Sequence, residues 1–137
     1  MSHQVRDAGE VEAPLRHSLP VVFVGGVLGT ALRILLTEAL PHGAFAWGVL
    51  AANLAGAFLL GVLFERLQEQ RLQRGGRWAL WGPGFLGAFT TFSALQFEAV
   101  DAMRVGDWYH GVLYLLATIG LGVPLAAIGR RVGRLLP

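Results

Sequence analysis

The feature that most constrains this chain is an apolar run, residues 78–103, that carries the sequence GPGFLGAFTTFSALQF in its middle. The run is apolar enough to cross a membrane, yet this stretch contains glycines, a proline and four side chains that can form hydrogen bonds. Backbone that leaves the helical conformation inside hydrocarbon exposes N–H and C=O groups, each at a cost on the order of several kcal/mol. Such an interruption persists only where protein covers it or a polar ligand binds it, so the sequence predicts an ion-binding site here.

Composition indicates a membrane protein. Of the 137 residues, 54% are hydrophobic and 15% are charged, which is too apolar for a soluble domain of this length. The absence of cysteine excludes disulfides, thiolate nucleophiles and soft-metal sites. All 11 basic residues are arginines, and they flank apolar runs instead of forming one stripe. This distribution favours a membrane protein over a nucleic-acid-binding protein.

The hydropathy pattern predicts an all-α membrane protein with four transmembrane helices. We expect spans at about 19–40, 45–64, 78–103 and 108–129 within a single domain, 19–137, with the third helix broken near the bilayer midplane. Residues 1–18 are polar and of mixed charge, and we expect them to form a disordered tail. The charged connector 65–77 is expected to be a solvated helical extension.

Arg33 in the first span and Asn53 in the second are polar residues with candidate roles. Arg33 has two interpretations: its side chain snorkels to the nearer interface, which we favour, or it makes a buried contact with a helix end. Asn53 lies near the centre of its span, where it either bridges two helices or offers its two amide donors to an anion. Gly25 and Gly29 form a face of small residues that another helix can approach closely. Gly56, three residues after Asn53, has the spacing typical of helix packing.

The fourth span carries a possible polar face. Tyr114, Thr118 and Gly122 are spaced four residues apart and therefore share one side of the helix. Such a stripe is usually packing, and it becomes functional only if it faces the interruption in the third span. The sequence shows no nucleotide cradle, no metal cluster and no pairing of nucleophile with base, so we expect a protein that is not an enzyme.

The arginines predict the orientation of the chain. With four spans, both termini and the middle connector lie on one side of the membrane. That side carries nine arginines, namely Arg6, Arg16, Arg66, Arg71, Arg74, Arg77, Arg130, Arg131 and Arg134. The other side carries Arg104, together with Arg33 if it snorkels that way. The positive-inside rule therefore places both termini in the cytoplasm.

Three motifs, in order, resemble those of one family. Residues 25–33 (GGVLGTALR), 53–61 (NLAGAFLLG) and 84–93 (GFLGAFTTFS) are similar to the first-, second- and third-span motifs of the CrcB/Fluc fluoride channels. The resemblance implies a fluoride-selective channel for passive fluoride efflux across a bacterial or archaeal cell membrane. It also implies an antiparallel dimer with two pores and one structural Na⁺ at the dimer interface.

The resemblance further implies roles for single residues. Gly87 and Thr90 match positions whose backbone carbonyls hold the Na⁺. Asn53 matches the pore asparagine, and Phe92 matches the first of two pore phenylalanines. The other polar pore positions fall on Thr91, Ser93, Tyr114 and Thr118. Fluoride is small and strongly hydrated, so amide and hydroxyl donors and the positive ring edge of Phe92 suit the task of replacing its water.

The chain departs from the family pattern in two respects. Leu95 stands where the family usually has its second pore phenylalanine, and leucine has no ring edge, so a pore that depends on this position is expected to conduct poorly. Ala88, a milder change, replaces a common glycine. The arginine bias is also unlike the near-balanced charge that a dual-orientation homodimer needs. We therefore favour a heterodimer with an oppositely oriented homologous subunit, with a homodimer as the alternative.

Two other functions compete with a conducting channel. The first is a non-conducting partner subunit of a heterodimeric fluoride channel, which the leucine at position 95 supports. The second is a small four-span multidrug/proton antiporter, which needs a carboxylate within a span. Glu38 and Glu98 lie towards span ends, so the sequence gives this function little support.

Overall fold

Every element that the computed structural model describes is helical. The described residues are 8–41, 43, 45–69 and 76–136. The elements are α1 (Ala8–Ala39), α2 (Trp47–Glu69), α3 (Gly76–Ala79), a π-helical segment (Leu80–Leu86), α4 (Gly87–Phe89), α5 (Phe92–Arg104) and α6 (Trp108–Leu135). Three stretches are long and apolar enough to cross a membrane: Ser18–Ala39, Trp47–Leu67 and Trp108–Leu135. Over the described residues the chain is therefore all-α, and these three helices could span a membrane.

The first helix begins earlier than the sequence indicates. α1 starts at Ala8, within the segment 1–18 that we expected to be a disordered tail, and residues 1–7 lie outside the described residues. Extending a formed helix adds a hydrogen bond for each residue fixed, whereas starting a new one is unfavourable, so a helix can continue into this segment. The division into a disordered tail, 1–18, and a domain, 19–137, stays a prediction. The apolar part of α1 supplies the formed helix from which these polar residues continue.

The end of α2 also differs from expectation. The helix continues to Glu69, and the Glu65 side chain is buried instead of solvated. Its two carboxylate oxygens accept hydrogen bonds from Arg134 Nε at 2.6 Å and from Arg130 Nε at 3.1 Å, both on α6. The charged connector thus contains an ion-paired contact between helices, because a carboxylate is buried only when it is paired. Connector residues 70–75 lie outside the described residues.

The segment from α3 to α5 is the irregular part of the fold. The π-helical segment contains Pro83, which lacks an N–H group and cannot complete a regular helical ladder. The helical backbone then ends at Phe89. Thr90 has φ −82° and ψ 151°, and Thr91 has φ −147° and ψ 118°, so both residues are extended. Two adjacent β-branched residues favour this conformation, and α5 begins directly after them.

Glycines bring the helices close together. α2 packs against α6, where a Cβ at Gly61 would meet the carbonyl oxygen of Ala126 and a Cβ at Gly129 would meet that of Phe58. α1 packs against the π-helical segment, and Gly25 and Gly29 provide the close approach there. Backbones in contact at these positions leave no room for a side chain.

A tight turn joins α5 to α6, which pack on each other. The turn uses Gly106 with φ 89°, a conformation that suits glycine. The apolar core includes Val49 and Leu50 of α2, Leu95 of α5 and Tyr114 of α6. Large apolar side chains on the outer faces of α1 and α6 are exposed, as a lipid environment permits. The core therefore lies next to the interruption and fixes the start of α5.

Candidate functional site

Asn53 binds the backbone at the interruption through both ends of its amide. Its Nδ2 donates to the carbonyl oxygen of Thr91 at 3.0 Å, and its Oδ1 accepts from the Thr91 N–H at 2.7 Å. This pairing determines the amide orientation, because the N–H group needs an oxygen and the carbonyl needs a donor. One Nδ2 proton is used here, so Asn53 has one donor for an anion and not the two considered from the sequence.

Arg33 contacts the end of α4. Its Nε donates to the carbonyl oxygen of Ala88 at 3.2 Å, and the side chain is half-buried. The snorkelling that we favoured from the sequence is therefore wrong, and the alternative, a contact with a helix end, is what the structure shows. The physical reason is that this carbonyl lies where the helical ladder stops, and a guanidinium is a strong donor for it.

Three hydroxyl groups surround the extended residues. Thr90 Oγ1 donates to the carbonyl oxygen of Leu86 at 2.9 Å, and its methyl group lies against Gly56, where a side chain would clash. Thr91 Oγ1 caps α5 by accepting from the Ala94 N–H at 3.2 Å, and it lies 3.2 Å from Ser93 Oγ. One of these two hydroxyls donates to the other, so the pair has one remaining proton that can be donated elsewhere.

The main-chain oxygens of Gly87 and Thr90 are candidate cation ligands. In a regular helix, the Thr91 N–H would donate to Gly87 and the Ala94 N–H would donate to Thr90. Here the first donates to Asn53 Oδ1 and the second donates to Thr91 Oγ1. The two carbonyl oxygens thus lose their usual helical donors, and such oxygens suit a hard cation.

An open groove of about 590 Å³ brings most of the predicted site residues together. Its lining includes Asn53, Gly56, Gly87, Thr90, Thr91, Phe92, Leu95 and Thr118. The Phe92 ring is 67% exposed, whereas Leu95 is only 3% exposed because it also belongs to the apolar core. The groove therefore joins the amide, a threonine hydroxyl and a ring edge along one surface.

Two predicted pore residues lie elsewhere. Ser93 lines a separate groove of about 390 Å³ on the outer face of α5, although its hydroxyl remains near that of Thr91. Tyr114 is buried, and its hydroxyl donates to the carbonyl oxygen of Ala46 at 3.1 Å. Thr118 reaches the groove, but its hydroxyl donates to the Tyr114 carbonyl oxygen at 2.8 Å. The α6 stripe therefore contributes packing and backbone bonds in this chain.

Some groove residues were not predicted. Trp78, Gly82 and Pro83 line it from α3 and the π-helical segment. The Gly-Pro-Gly sequence indicated irregular backbone at this point, because proline and glycine mark irregular turns, but it did not indicate that these residues line the groove. Nothing in the sequence indicates that the distorted segment and Asn53 share one surface.

The comparisons with known proteins agree with these motifs. Residues 20–130 match the family described as CrcB-like protein, Camphor Resistance (CrcB). The chain is 44% identical over 111 residues to fluoride-specific ion channel FluC 1 of Cutibacterium acnes, covering 77% of this chain and 78% of the relative. It is 41% identical over 115 residues to FluC 1 of Geobacillus kaustophilus, covering 82% and 95%. It is 36% identical over 118 residues to FluC of Magnetococcus marinus, covering 84% and 96%. Because the matched region contains the whole interruption and its partners on α1 and α2, this chain belongs to the CrcB/FluC family of fluoride ion channels.

Proposed function

We propose that this chain is a subunit of a fluoride-selective channel that lets fluoride leave the cytoplasm passively and so lowers its toxicity. The observation that carries the proposal is the paired hydrogen bonding of Asn53 to Thr91 at an extended break, in a groove with an exposed Phe92. The names of the relatives support the choice of fluoride as the ion.

The groups around the break suit a dehydrated anion. The donors are the second Nδ2 proton of Asn53 and the one free hydroxyl proton of the Thr91–Ser93 pair. The edge of the Phe92 ring carries positive partial charge, and the first N–H groups of α5 lie next to it. Together these groups can contact a small halide and replace its water of hydration. A purely apolar groove has no such groups.

The family's structural Na⁺ fits the carbonyl oxygens of Gly87 and Thr90. Both oxygens have lost their usual helical donors, and neutral main-chain oxygens are suitable ligands for a hard monovalent cation. When bound, the ion compensates the negative ends of these carbonyl dipoles. Gly87 is exposed at the groove, so a second subunit can bring its own oxygens to the same ion.

The proposed assembly is an antiparallel dimer in the cell membrane. In each subunit the segment from α3 to α5 forms the third of four spans, interrupted near the midplane, and both termini are cytoplasmic. The open groove and the exposed Phe92 provide a surface that a second subunit would cover. The arginine bias favours a homologous partner of the opposite orientation, with a homodimer as the alternative.

Fluoride efflux from liposomes tests the proposal. Proteoliposomes that contain the channel and are loaded with fluoride should show passive, electrogenic efflux without a proton gradient or drug substrate. Phe92→Ile removes the positive ring edge in the groove and should lower efflux by about tenfold, as expected for the loss of about 1.4 kcal/mol of contact to an anion. Phe97→Ile is the matched control, since Phe97 is also on α5 and is 66% exposed but does not line the groove. Equal efflux from Phe92→Ile and the parent contradicts the assignment of Phe92 to the pore.

Topology mapping tests the pairing. Expressed alone, the chain should place its termini only in the cytoplasm and should give little fluoride efflux until a homologous subunit of opposite orientation is added. The physical reason is the one-sided arginine distribution, which fixes one insertion direction. Accessibility labelling of both termini, with fluoride efflux measured on the same samples, checks this. Termini on both sides of the membrane together with full efflux would show that the chain forms a homodimer.

A non-conducting subunit is the second candidate function. Leu95 lines the groove, but its side chain is buried among Val49, Leu50 and Tyr114 and presents no ring edge to an anion. A subunit of this kind would support the partner's pore without conducting itself. Efflux that appears only with a homologous partner and that Phe92→Ile in this chain leaves unchanged would favour this function, whereas drug–proton exchange would indicate the antiporter.

A further inference from the structure

Arg33 reaches the interruption from a different helix and brings a fixed charge to it. Its Nε donates to the Ala88 carbonyl oxygen at 3.2 Å, and the side chain is half-buried. Ala88 directly follows Gly87 and lies two residues before Thr90. The main-chain oxygens of Gly87 and Thr90 are the proposed cation ligands. The guanidinium group is charged at every physiological pH. A positive charge is thus placed beside a site proposed for a cation.

Arg33 and Asn53 together determine which carbonyl oxygens are open. The Ala88 oxygen accepts from Arg33, and the Thr91 oxygen accepts from Asn53. The oxygens of Gly87 and Thr90 have instead lost the N–H groups that would bond them in a helix, because those groups donate to side chains. The pair of candidate ligands is therefore selected by side chains from α1 and α2 and by the cap of α5.

The charge of Arg33 repels divalent cations more strongly than monovalent cations. Repulsion between two charges scales with their product, so a divalent cation beside a guanidinium is repelled twice as strongly as a monovalent one. Neutral carbonyl oxygens alone do not exclude Ca²⁺, which main-chain oxygens bind in many proteins. We propose that Arg33 positions the Gly87–Thr90 oxygen pair and makes it selective for monovalent over divalent cations. This inference rests on the proposed function, and it assigns to Arg33 the control of the proposed cation site at Gly87 and Thr90.

Cation-dependent thermal unfolding tests the inference on the full-length protein in its dimeric assembly. Tryptophan fluorescence reports the unfolding midpoint in sodium chloride and in calcium chloride, with N-methyl-glucamine chloride keeping the ionic strength constant. We expect Na⁺ to raise the midpoint at concentrations about tenfold lower than Ca²⁺. Arg33→Gln removes the charge and should reduce this preference by about tenfold. Arg33→Lys keeps the charge and should keep the preference, while Na⁺ affinity falls because an ammonium group does not reproduce the planar Nε contact.

Arg131→Gln is the matched control, since Arg131 is an exposed arginine on α6 and its replacement should leave both cation responses unchanged. A wild-type preference that persists in Arg33→Gln overturns the inference, as does an equal loss in Arg33→Gln and Arg33→Lys. Should Arg33→Gln not fold, equal stabilisation of the wild type by Ca²⁺ and Na⁺ overturns it as well.

Fluoride efflux, measured on the same wild-type preparation, keeps the two proposals separate. Efflux without any response to Na⁺ overturns the role of Arg33 and leaves the proposed function in place. A selective Na⁺ response without efflux, alone or with a partner, supports the role of Arg33 and contradicts the proposed function.

Discussion

The α2–α6 pair and the segment from α3 to α5 satisfy their main-chain polar groups in different ways. α2 and α6 are long helices whose backbones bond internally and approach each other at glycines such as Gly61 and Gly129. The α3–α5 segment is interrupted, and its main-chain groups are bonded by side chains of other helices, Arg33 and Asn53. The main-chain groups of the α2–α6 pair are bonded within each helix, whereas those of the α3–α5 segment depend on side chains from other helices.

This difference explains where polar side chains occur. In the α2–α6 pair, the charged residues Glu65, Arg130 and Arg134 bond to one another at the end of the pair. Around the interruption, polar side chains bond to backbone and leave a few donors and carbonyl oxygens available. A change in the first region should therefore alter stability alone. A change in the second should alter stability and ion handling together.

The largest effect is expected for Asn53→Ala. This substitution leaves the part-buried N–H and C=O groups of Thr91 without their partner, at a cost of about 1 kcal/mol for each group, the lower end of the range for fully buried groups. It also removes the donor that we propose for the anion, so fluoride efflux should fall about ten- to a hundredfold, as expected for a hydrogen bond to a charged group. Unfolding of the purified protein and fluoride efflux from liposomes are the two measurements.

Gln96→Ala is the control for Asn53→Ala. It removes the same carboxamide group from an exposed position on α5 that lies outside the groove. We expect little change in stability or efflux, since surface substitutions usually alter stability by about 0.5 kcal/mol or less. If Asn53→Ala loses stability while its fluoride efflux stays at the parent level, Asn53 supports the backbone only and is not a pore residue.

A smaller effect, confined to stability, is expected for Gly129→Ala. The added methyl group would meet the carbonyl oxygen of Phe58 on α2, so the two helices must move apart. Overpacking of this kind costs about 1–3 kcal/mol. The free energy of unfolding in mixed detergent micelles measures it, and fluoride efflux per folded protein should remain unchanged.

Gly120 offers a control on the same helix. A Cβ there has open space, so Gly120→Ala should be neutral or should stabilise α6 by about 0.5–1 kcal/mol through the higher helix propensity of alanine. A loss of efflux per folded protein in Gly129→Ala would show that the α2–α6 contact also governs the groove. The proposed separation of the two regions would then be wrong.

The sequence predicts the regular region better than the irregular one. Apolar runs of the right length identify the three long helices, because hydrophobicity and helix length are local properties of a chain. The close approach at Gly25 and Gly29 also follows from local spacing, and the structure shows that the π-helical segment is the partner. The extended pair Thr90 and Thr91 lies within the stretch that glycine, proline and threonine marked as irregular.

The contacts of polar side chains could not be predicted in the same way. A polar residue inside an apolar span indicates that a partner exists but not which helix supplies it. Arg33 was therefore assigned to the interface although it bonds to Ala88, and Glu65 was assigned to solvent although it bonds to Arg130 and Arg134. Both partners are distant in sequence, so only the arrangement of the helices reveals them. The start of α1 within the polar segment likewise depends on the helix that follows it.

The smallest expected effect concerns Asp107, in the turn that joins the two regions. Its carboxylate caps α6 by accepting from the His110 N–H at 3.3 Å and lies 2.7 Å from His110 Nδ1. These hydrogen bonds hold the pKa of the Asp107 carboxyl below its ordinary value of 3.8. The bond to the His110 side chain has the larger effect, and the bond to the His110 N–H has the smaller one. A lowered pKa means that the ionised group stabilises the fold above the ordinary value, and that this contribution is lost as the pH falls through the lowered pKa.

Asp107→Asn isolates this contribution, because asparagine is also a good helix cap but does not titrate. We expect the unfolding midpoint of the parent to decrease more steeply than that of Asp107→Asn as the pH falls below the ordinary value of 3.8, with both proteins measured in the same detergent. Glu98 and Asp101, which line the same small pocket, are present in both proteins, so the difference between the two curves reports Asp107. Parallel curves would show that the cap acts through hydrogen-bond geometry alone. The Asp107 cap would then contribute the same stability on both sides of this pH range.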